Sequence, residues 1–182
     1  MRVVTGELAG EGIYGEFFRA AQYSAVHVEV QDDYQVPDEY EPLQAWRQDR
    51  RIVETAGGRA WCQLVRDTVD RGVLVARVRV VSVPHSEYTR WLLDACAPNA
   101  AAGEQIRWLP RHRIGSGVVP ADDYWLFDGR TVAFNTVDGT GDAVGLAVTT
   151  DPAIATVCAQ AWDILWDSGI DHAKYQAEHA PR

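Results

Sequence analysis

Residues 73–82 read Val-Leu-Val-Ala-Arg-Val-Arg-Val-Val-Ser. This run is rich in β-branched residues and is bounded by Gly72 and Pro84, so it forms a strand. Strict alternation puts Arg77 and Arg79 on one face and Val78 and Val80 on the other. Two guanidinium groups on one face of a central strand need a counter-charge, because a charge taken out of water must be paired. Two solutions follow from the residues. Arg77 and Arg79 converge on a bound phosphate or carboxylate, or they pair with Glu29, Asp123 or another carboxylate across the sheet. Burial energetics favour the internal pair.

The remaining pattern places this strand in a mixed sheet. Residues 12–22 have helical spacing through Ile13, Phe17 and Ala20 or Ala21. Ala25–Gln31 alternates, with Val26, Val28 and Val30 opposite His27 and Glu29, as in a half-buried strand. Pro37-Asp38-Glu39 starts a helix running to about Arg50, and Gly57-Gly58 breaks the chain. A second helix covers 60–71 with Trp61, Leu64, Val65 and Thr68 inward, and Gly72 fits the position just past its end. Ser86 caps a helix over 87–97. Strands follow at 105–109, 124–127, 131–135 and 143–149, with Asp128-Gly129 as a hairpin turn and a Gly-rich turn at 139–141. Asp151 and Pro152 open a last helix that Ser168-Gly169 ends, and the polar residues 171–182 fray. The class is α/β (α+β): a mixed, partly antiparallel sheet flanked by helices. The 182 residues make one domain, with a helix–strand–helix region at 1–72, a core at 73–168 and a polar tail at 169–182. Whether 1–72 is a separate lobe or completes the same sheet stays open at this level.

Composition narrows the function classes. A net charge of −9 opposes bulk binding to nucleic acid or anionic membrane, which rests on neutralising phosphates. The clusters Arg47, Arg50, Arg51 and Arg107, Arg111, His112, Arg113 read as solvated surface. Cys62, Cys96 and Cys158 show no metal-binding spacing and read as buried, reduced thiols, and no apolar run is long enough to span a membrane. A cytoplasmic protein without cofactor or metal is expected. Lys174 is the only lysine among 17 basic residues, a bias that suggests a GC-rich, actinobacterial genome.

Residues 121–135, Ala-Asp-Asp-Tyr-Trp-Leu-Phe-Asp-Gly-Arg-Thr-Val-Ala-Phe-Asn, have the strand–turn–strand rhythm that carries H-x-K-x-x-x-x-D in phospholipase D-like proteins. With 78–82 and 106–110 included, residues 70–168 resemble one half of such a domain. The resemblance implies that Asp128 stands at the motif Asp, Ala121 at the nucleophilic His and Asp123 at the phosphate-binding Lys. Ala cannot attack phosphorus and Asp repels the phosphoryl oxygens, so the chemistry of that family is not carried over. A second resemblance spans most of the chain, through Phe17-Phe18-Arg19, Glu29 to Pro37, Arg77 to Ser82, Ile106 to Pro110 and Asp123 to Asp128. These segments look like an uncharacterised actinobacterial domain family, often encoded beside Xre-type helix-turn-helix regulators and small partner proteins. That resemblance implies a regulatory or sensory accessory protein.

The remaining candidates each have a plainer reading. His85 and Ser86 follow a strand end, where open α/β sheets hold ligands, but adjacent turn residues rarely face each other and Ser86 serves as a cap. His27, Glu29, Asp32 and Asp33 could ligate a metal, or form a solvent-facing edge that deters strand pairing, which is the expectation. Asp122 and Asp123 could be acid–base groups near Arg111 and His112, or simply close the loop before Tyr124. Trp108 and Trp125 could wall a pocket, whereas the other tryptophans read as core, with Trp162 and Trp166 on the sheet or a partner subunit. The expected function is a non-catalytic regulatory module binding a partner protein, a homodimer mate or a small anionic ligand, with Arg77, Arg79, Trp108, Arg111 and Trp125 as ligand contacts. The competing expectation is a hydrolase or transferase acting through His85, Arg77, Arg79, Arg111 and Asp123.

Overall fold

The computed structural model describes residues 1–6, 11–34, 36–137 and 143–179. Along the chain come β1 (Arg2–Thr5), α1 (Gly15–Ala20), β2 (Ser24–Glu29), α2 (Tyr40–Asp49), α3 (Ala56–Val69), β3 (Leu74–Val81), α4 (Glu87–Ala95), α5 (Ala97–Ala101) and β4 (Gln105–Pro110). They are followed by β5 (Tyr124–Phe127), β6 (Thr131–Val137), β7 (Ala143–Thr149), α6 (Pro152–Ser168), β8 (Ile170–Asp171) and α7 (His172–His179). All eight strands join one sheet in the order β1-β7-β6-β5-β2-β3-β4-β8. The trio β2, β3, β4 is parallel, and every other pairing is antiparallel. The mixed sheet expected from the pattern is therefore present, and β1 and β2 from the first 72 residues are strands of it.

Alternation decides what lies on each side of the sheet. Val26 and Val28 of β2, Val78 and Val80 of β3, Leu109 of β4 and Tyr124 and Leu126 of β5 share one face, covered by Ala155, Cys158, Trp162 and Leu165 of α6. Asp151 starts that helix by accepting from the Ala153 N–H at 2.8 Å. The opposite face carries two clusters. One joins Trp125, Phe127, Val73 and Val75 to α1 and α3, and the other joins Trp108, Ile106 and Val81 to α2, α4 and α7. Between them run the polar residues of β2 and β3. Asp128, Gly129 and Arg130 link β5 to β6, and the first two take φ of 51° and 64°, the left-handed pair at the centre of the turn that the Arg130 N–H closes on the Phe127 carbonyl.

Three expectations are corrected. The Gly57-Gly58 break does not occur: Thr55 caps α3 by accepting from the Gly58 N–H at 2.9 Å, so both glycines fall within its first turn. β2 is no exposed edge but lies between β5 and β3, with His27 and Glu29 buried. The polar tail does not fray over 170–179, because β8 pairs with β4 and α7 buries Tyr175 completely. Tyr175 stacks on Trp108 with ring centroids 5.7 Å apart, so one aromatic residue anchors an otherwise polar helix. The turn at 139–141 lies outside the described residues.

Candidate binding cavity and the Asp128-Gly129 hairpin

Parallel register sets His27 beside Arg77 and Glu29 beside Arg79, all on the sheet face left between the two clusters. Glu29 bridges both arginines. Its Oε1 lies 2.7 Å from Arg77 Nη1 and its Oε2 lies 2.7 Å from Arg79 Nη1. Glu104, placed just ahead of β4 by Gly103 at φ +102°, takes Arg77 Nε at 2.7 Å. The internal pairing favoured from the sequence is thus realised through Glu29 and Glu104, without Asp123. Burial would raise the Glu29 pKa, but Arg77 and Arg79 outweigh it and hold the carboxyl at about 2. Burial disfavours the charged arginines as well, yet the facing carboxylates keep both firmly protonated. His27 is pushed by burial well below its ordinary pKa and stays neutral, stacked on Trp125 at 4.2 Å. Arg77 also lies over the Trp61 and Trp125 rings at 5.8 and 5.7 Å.

Above this charged floor is a cavity of about 590 Å³. Tyr14, Trp61 and Trp125 line it from one aromatic cluster, and Tyr34, Tyr88 and Trp91 from the other. It opens to solvent past the exposed Glu54, Arg59 and Gln63. Tyr88 donates to Glu39, whose pKa burial raises. Five buried side-chain nitrogen atoms among the described residues lack a hydrogen-bond partner: both His27 nitrogens, Arg79 Nε, Trp61 Nε1 and Trp91 Nε1, with His27 Nδ1 3.5 Å from Glu29 Oε1. Every one of these residues lines the cavity.

The sequence-derived candidates divide. Arg77, Arg79 and Trp125 reach the cavity; Trp108, Arg111, His85 and Asp123 are not among its lining residues. Trp108 is a core residue that donates to His172 Nδ1 at 3.0 Å, and Arg111 donates to the carbonyls of Val30 and Val80. His85 turns toward α7, with Nδ1 2.9 Å from the Ser82 carbonyl and Nε2 3.0 Å from the Tyr175 hydroxyl, while Ser86 caps α4. A nucleophile–base pair at 85–86 is therefore not formed. Among the described residues no group of three or more His, Cys, Asp or Glu side chains is placed to hold a metal ion. Glu104, Trp61, Trp91, Tyr34 and Tyr88 escaped sequence reasoning. Only the complementary registers His27-x-Glu29 and Arg77-x-Arg79 could have signalled the bridge.

Both carboxylates at the β5–β6 hairpin hold main chain or a neighbouring hydroxyl. Ala121 is exposed ahead of β5. Asp123 is buried, with Oδ1 accepting from the Val30 N–H at 2.7 Å and Oδ2 from the Tyr34 hydroxyl at 2.6 Å. Burial, then the nearby Glu29 carboxylate, raises its pKa to about 6. Asp128 accepts from the backbone N–H groups of Gln22, Tyr23 and Ser24 at 3.0, 2.7 and 2.9 Å. Burial raises its pKa, but these bonds outweigh it and hold the carboxyl low.

The architecture defines a protein of the phospholipase D type of fold. A phospholipase D family member, Nuc from Salmonella typhimurium, superposes with a TM-score of 0.53 at 14% identity, over 93% of this chain and 97% of Nuc. NucT from Helicobacter pylori matches 86% of each chain at 12% identity with a TM-score of 0.48, and TrmBL2, an archaeal chromatin protein, matches 93% of this chain and 53% of its own at 13% with a TM-score of 0.49. At these identities the likeness is one of fold. Residues 14–177 match the model of the family "Domain of unknown function (DUF6879)", and the chain belongs to that family. No curated protein sequence matches it. Among the described residues no helix is long and apolar enough to cross a membrane.

Proposed function

We propose that this chain is a non-catalytic regulatory module in which a phospholipase D-like sheet holds a small polar molecule in the cavity over β2 and β3. The observation that carries this reading is the set of unpartnered buried polar atoms confined to residues of one aromatic-walled cavity. Buried donors and acceptors are normally satisfied by protein, ordered water or a bound molecule, and a group of unsatisfied ones around one cavity supports the last of these. Lack of chemistry is part of the same proposal. At the motif positions, Ala121 offers no nucleophile, Asp123 is engaged by Val30 and Tyr34, and Asp128 is engaged by three backbone donors. The hydrolase reading draws no support from geometry, since His85 and the arginines do not converge on one cavity. The arginines are also closed into ion pairs with Glu29 and Glu104.

In an actinobacterial setting the module would report occupancy to a protein partner, a helix-turn-helix regulator being the expected kind. Native mass spectrometry of the protein purified from its own host tests the binding reading: a retained small molecule is the expected result. Incubation with bis(p-nitrophenyl) phosphate tests the rest. No release of nitrophenol is expected, and turnover that vanishes in Asp123→Asn or His85→Ala would overturn the non-catalytic reading.

A further inference from the structure

We infer that the cavity takes a planar, uncharged heteroaromatic molecule whose edge carries both hydrogen-bond donors and acceptors, as in free nucleobases and nucleosides. This deepens the binding reading above and rests on it.

Charge is the first argument. The cavity lining contains four acidic residues and four arginines. On its floor, Glu29 already occupies the place between Arg77 and Arg79 that an anionic ligand would take, at 2.7 Å from each. A phosphate or carboxylate would have to displace it and leave a buried carboxylate unpaired, which is costly. A cation meets the mirror-image problem, because Arg77 already lies over the Trp61 and Trp125 rings. A neutral guest disturbs none of these pairs.

Shape is the second. The lining aromatics come from two separate clusters, one under α1 and α3 and the other under α2 and α4. A flat ring entering between them can pack on aromatic surface from both clusters while its edge meets the charged floor. A volume of about 590 Å³ leaves room for a bicycle with an appended group such as a sugar.

The unmet hydrogen-bonding groups supply the third. Arg79 Nε, Trp61 Nε1 and Trp91 Nε1 are donors, Glu29 Oε2 is an acceptor, and neutral His27 contributes one of each. Glu29 Oε2 lies 2.7 Å from Arg79 Nη1 and, like any carboxylate oxygen, has a second lone pair that a donor can use. A ligand that only accepts would ignore Glu29, and one that only donates would ignore both tryptophans. A mixed edge answers both.

The test is titration calorimetry and tryptophan quenching of the intact chain with adenosine, guanosine, inosine and uridine, against inorganic phosphate, adenosine monophosphate and benzoate. At least one neutral nucleoside should bind one-to-one, with affinity unchanged up to about 0.5 M NaCl, where exposed charges are screened. Trp61→Phe and Trp91→Phe keep the aromatic surface and remove one N–H each. Each should weaken binding about fivefold to tenfold, the worth of one hydrogen bond, with an unchanged circular dichroism spectrum. Tighter binding of phosphate, benzoate or the monophosphate, falling steeply with salt, would overturn the inference. So would a host-derived ligand that proves anionic or aliphatic in native mass spectrometry, and that result would leave the binding reading standing. If nothing is retained from the host and no probe binds, both fall.

Discussion

Replacing Glu29 by Gln keeps shape and removes one charge. Two guanidinium groups 2.7 Å from that carboxylate then face a neutral amide. Arg77 keeps Glu104 at 2.7 Å, whereas Arg79 has no other ion pair among the described residues. One buried cation is thus left unmatched. Breaking a buried pair from one side costs about 3–5 kcal/mol, and water entering from the cavity favours the lower end, about 3 kcal/mol. For a chain of this size each kcal/mol moves the melting temperature by about 2–4 °C, so a fall of about 6–12 °C is expected. Thermal unfolding followed by circular dichroism at neutral pH measures it. Glu29→Gln combined with Arg79→Met restores the balance and should recover most of the loss. Millimolar phosphate should raise the melting temperature of Glu29→Ala more than that of the parent, by filling the place the truncated side chain vacates between Arg77 and Arg79. A Glu29→Gln variant melting within about 2 °C of the parent, or a double variant no better than the single, would refute the account of a charge bridge.

Asp123 and Glu29 shape the acid limb in opposite senses. The folded pKa of Asp123 is raised to about 6 from 3.8, so its contribution is fully present below 3.8 and lost as pH rises through 6. The folded pKa of Glu29 is depressed to about 2 from 4.5, so its contribution is present above 4.5 and lost as pH falls toward 2. Urea midpoints should therefore rise modestly as pH falls from 7 to about 4.5 and then drop, and Asp123→Asn should shrink the rise, to which the raised Glu39 also contributes, while leaving the drop. Asp128→Ala removes an acceptor for three backbone N–H groups and puts a Cβ-bearing residue other than Asn or Asp at φ 51°, a loss of about 2–3 kcal/mol by urea denaturation. Tyr175→Ala empties a fully buried site against Trp108 and should cost about 3–5 kcal/mol; a frayed tail would cost nothing.

What the sequence disclosed was whatever depends on local chemistry. The strand around Arg77 and Arg79, the Asp128-Gly129 hairpin and the Ser86 and Asp151 caps all follow from residue type and spacing. What it withheld was lateral order. Charge alone named Glu29 as a partner of Arg77 and Arg79, yet the same strand read as a polar edge because alternation does not reveal that β2 lies between β5 and β3. The polar α7 read as a tail because a single buried tyrosine leaves almost no hydrophobic periodicity. The cavity escaped because its lining comes from α2, α3, α4 and the sheet together, and no single segment has a pocket-like pattern.

The carboxylate of Asp128 has a consequence for how sequences of this fold are sorted. In this chain it secures the main chain leading into β2, a task unrelated to phosphoryl transfer. An Asp-Gly pair at this hairpin is thus no diagnostic of activity. A search weighted on it would select for a turn and a main-chain anchor rather than for a reaction.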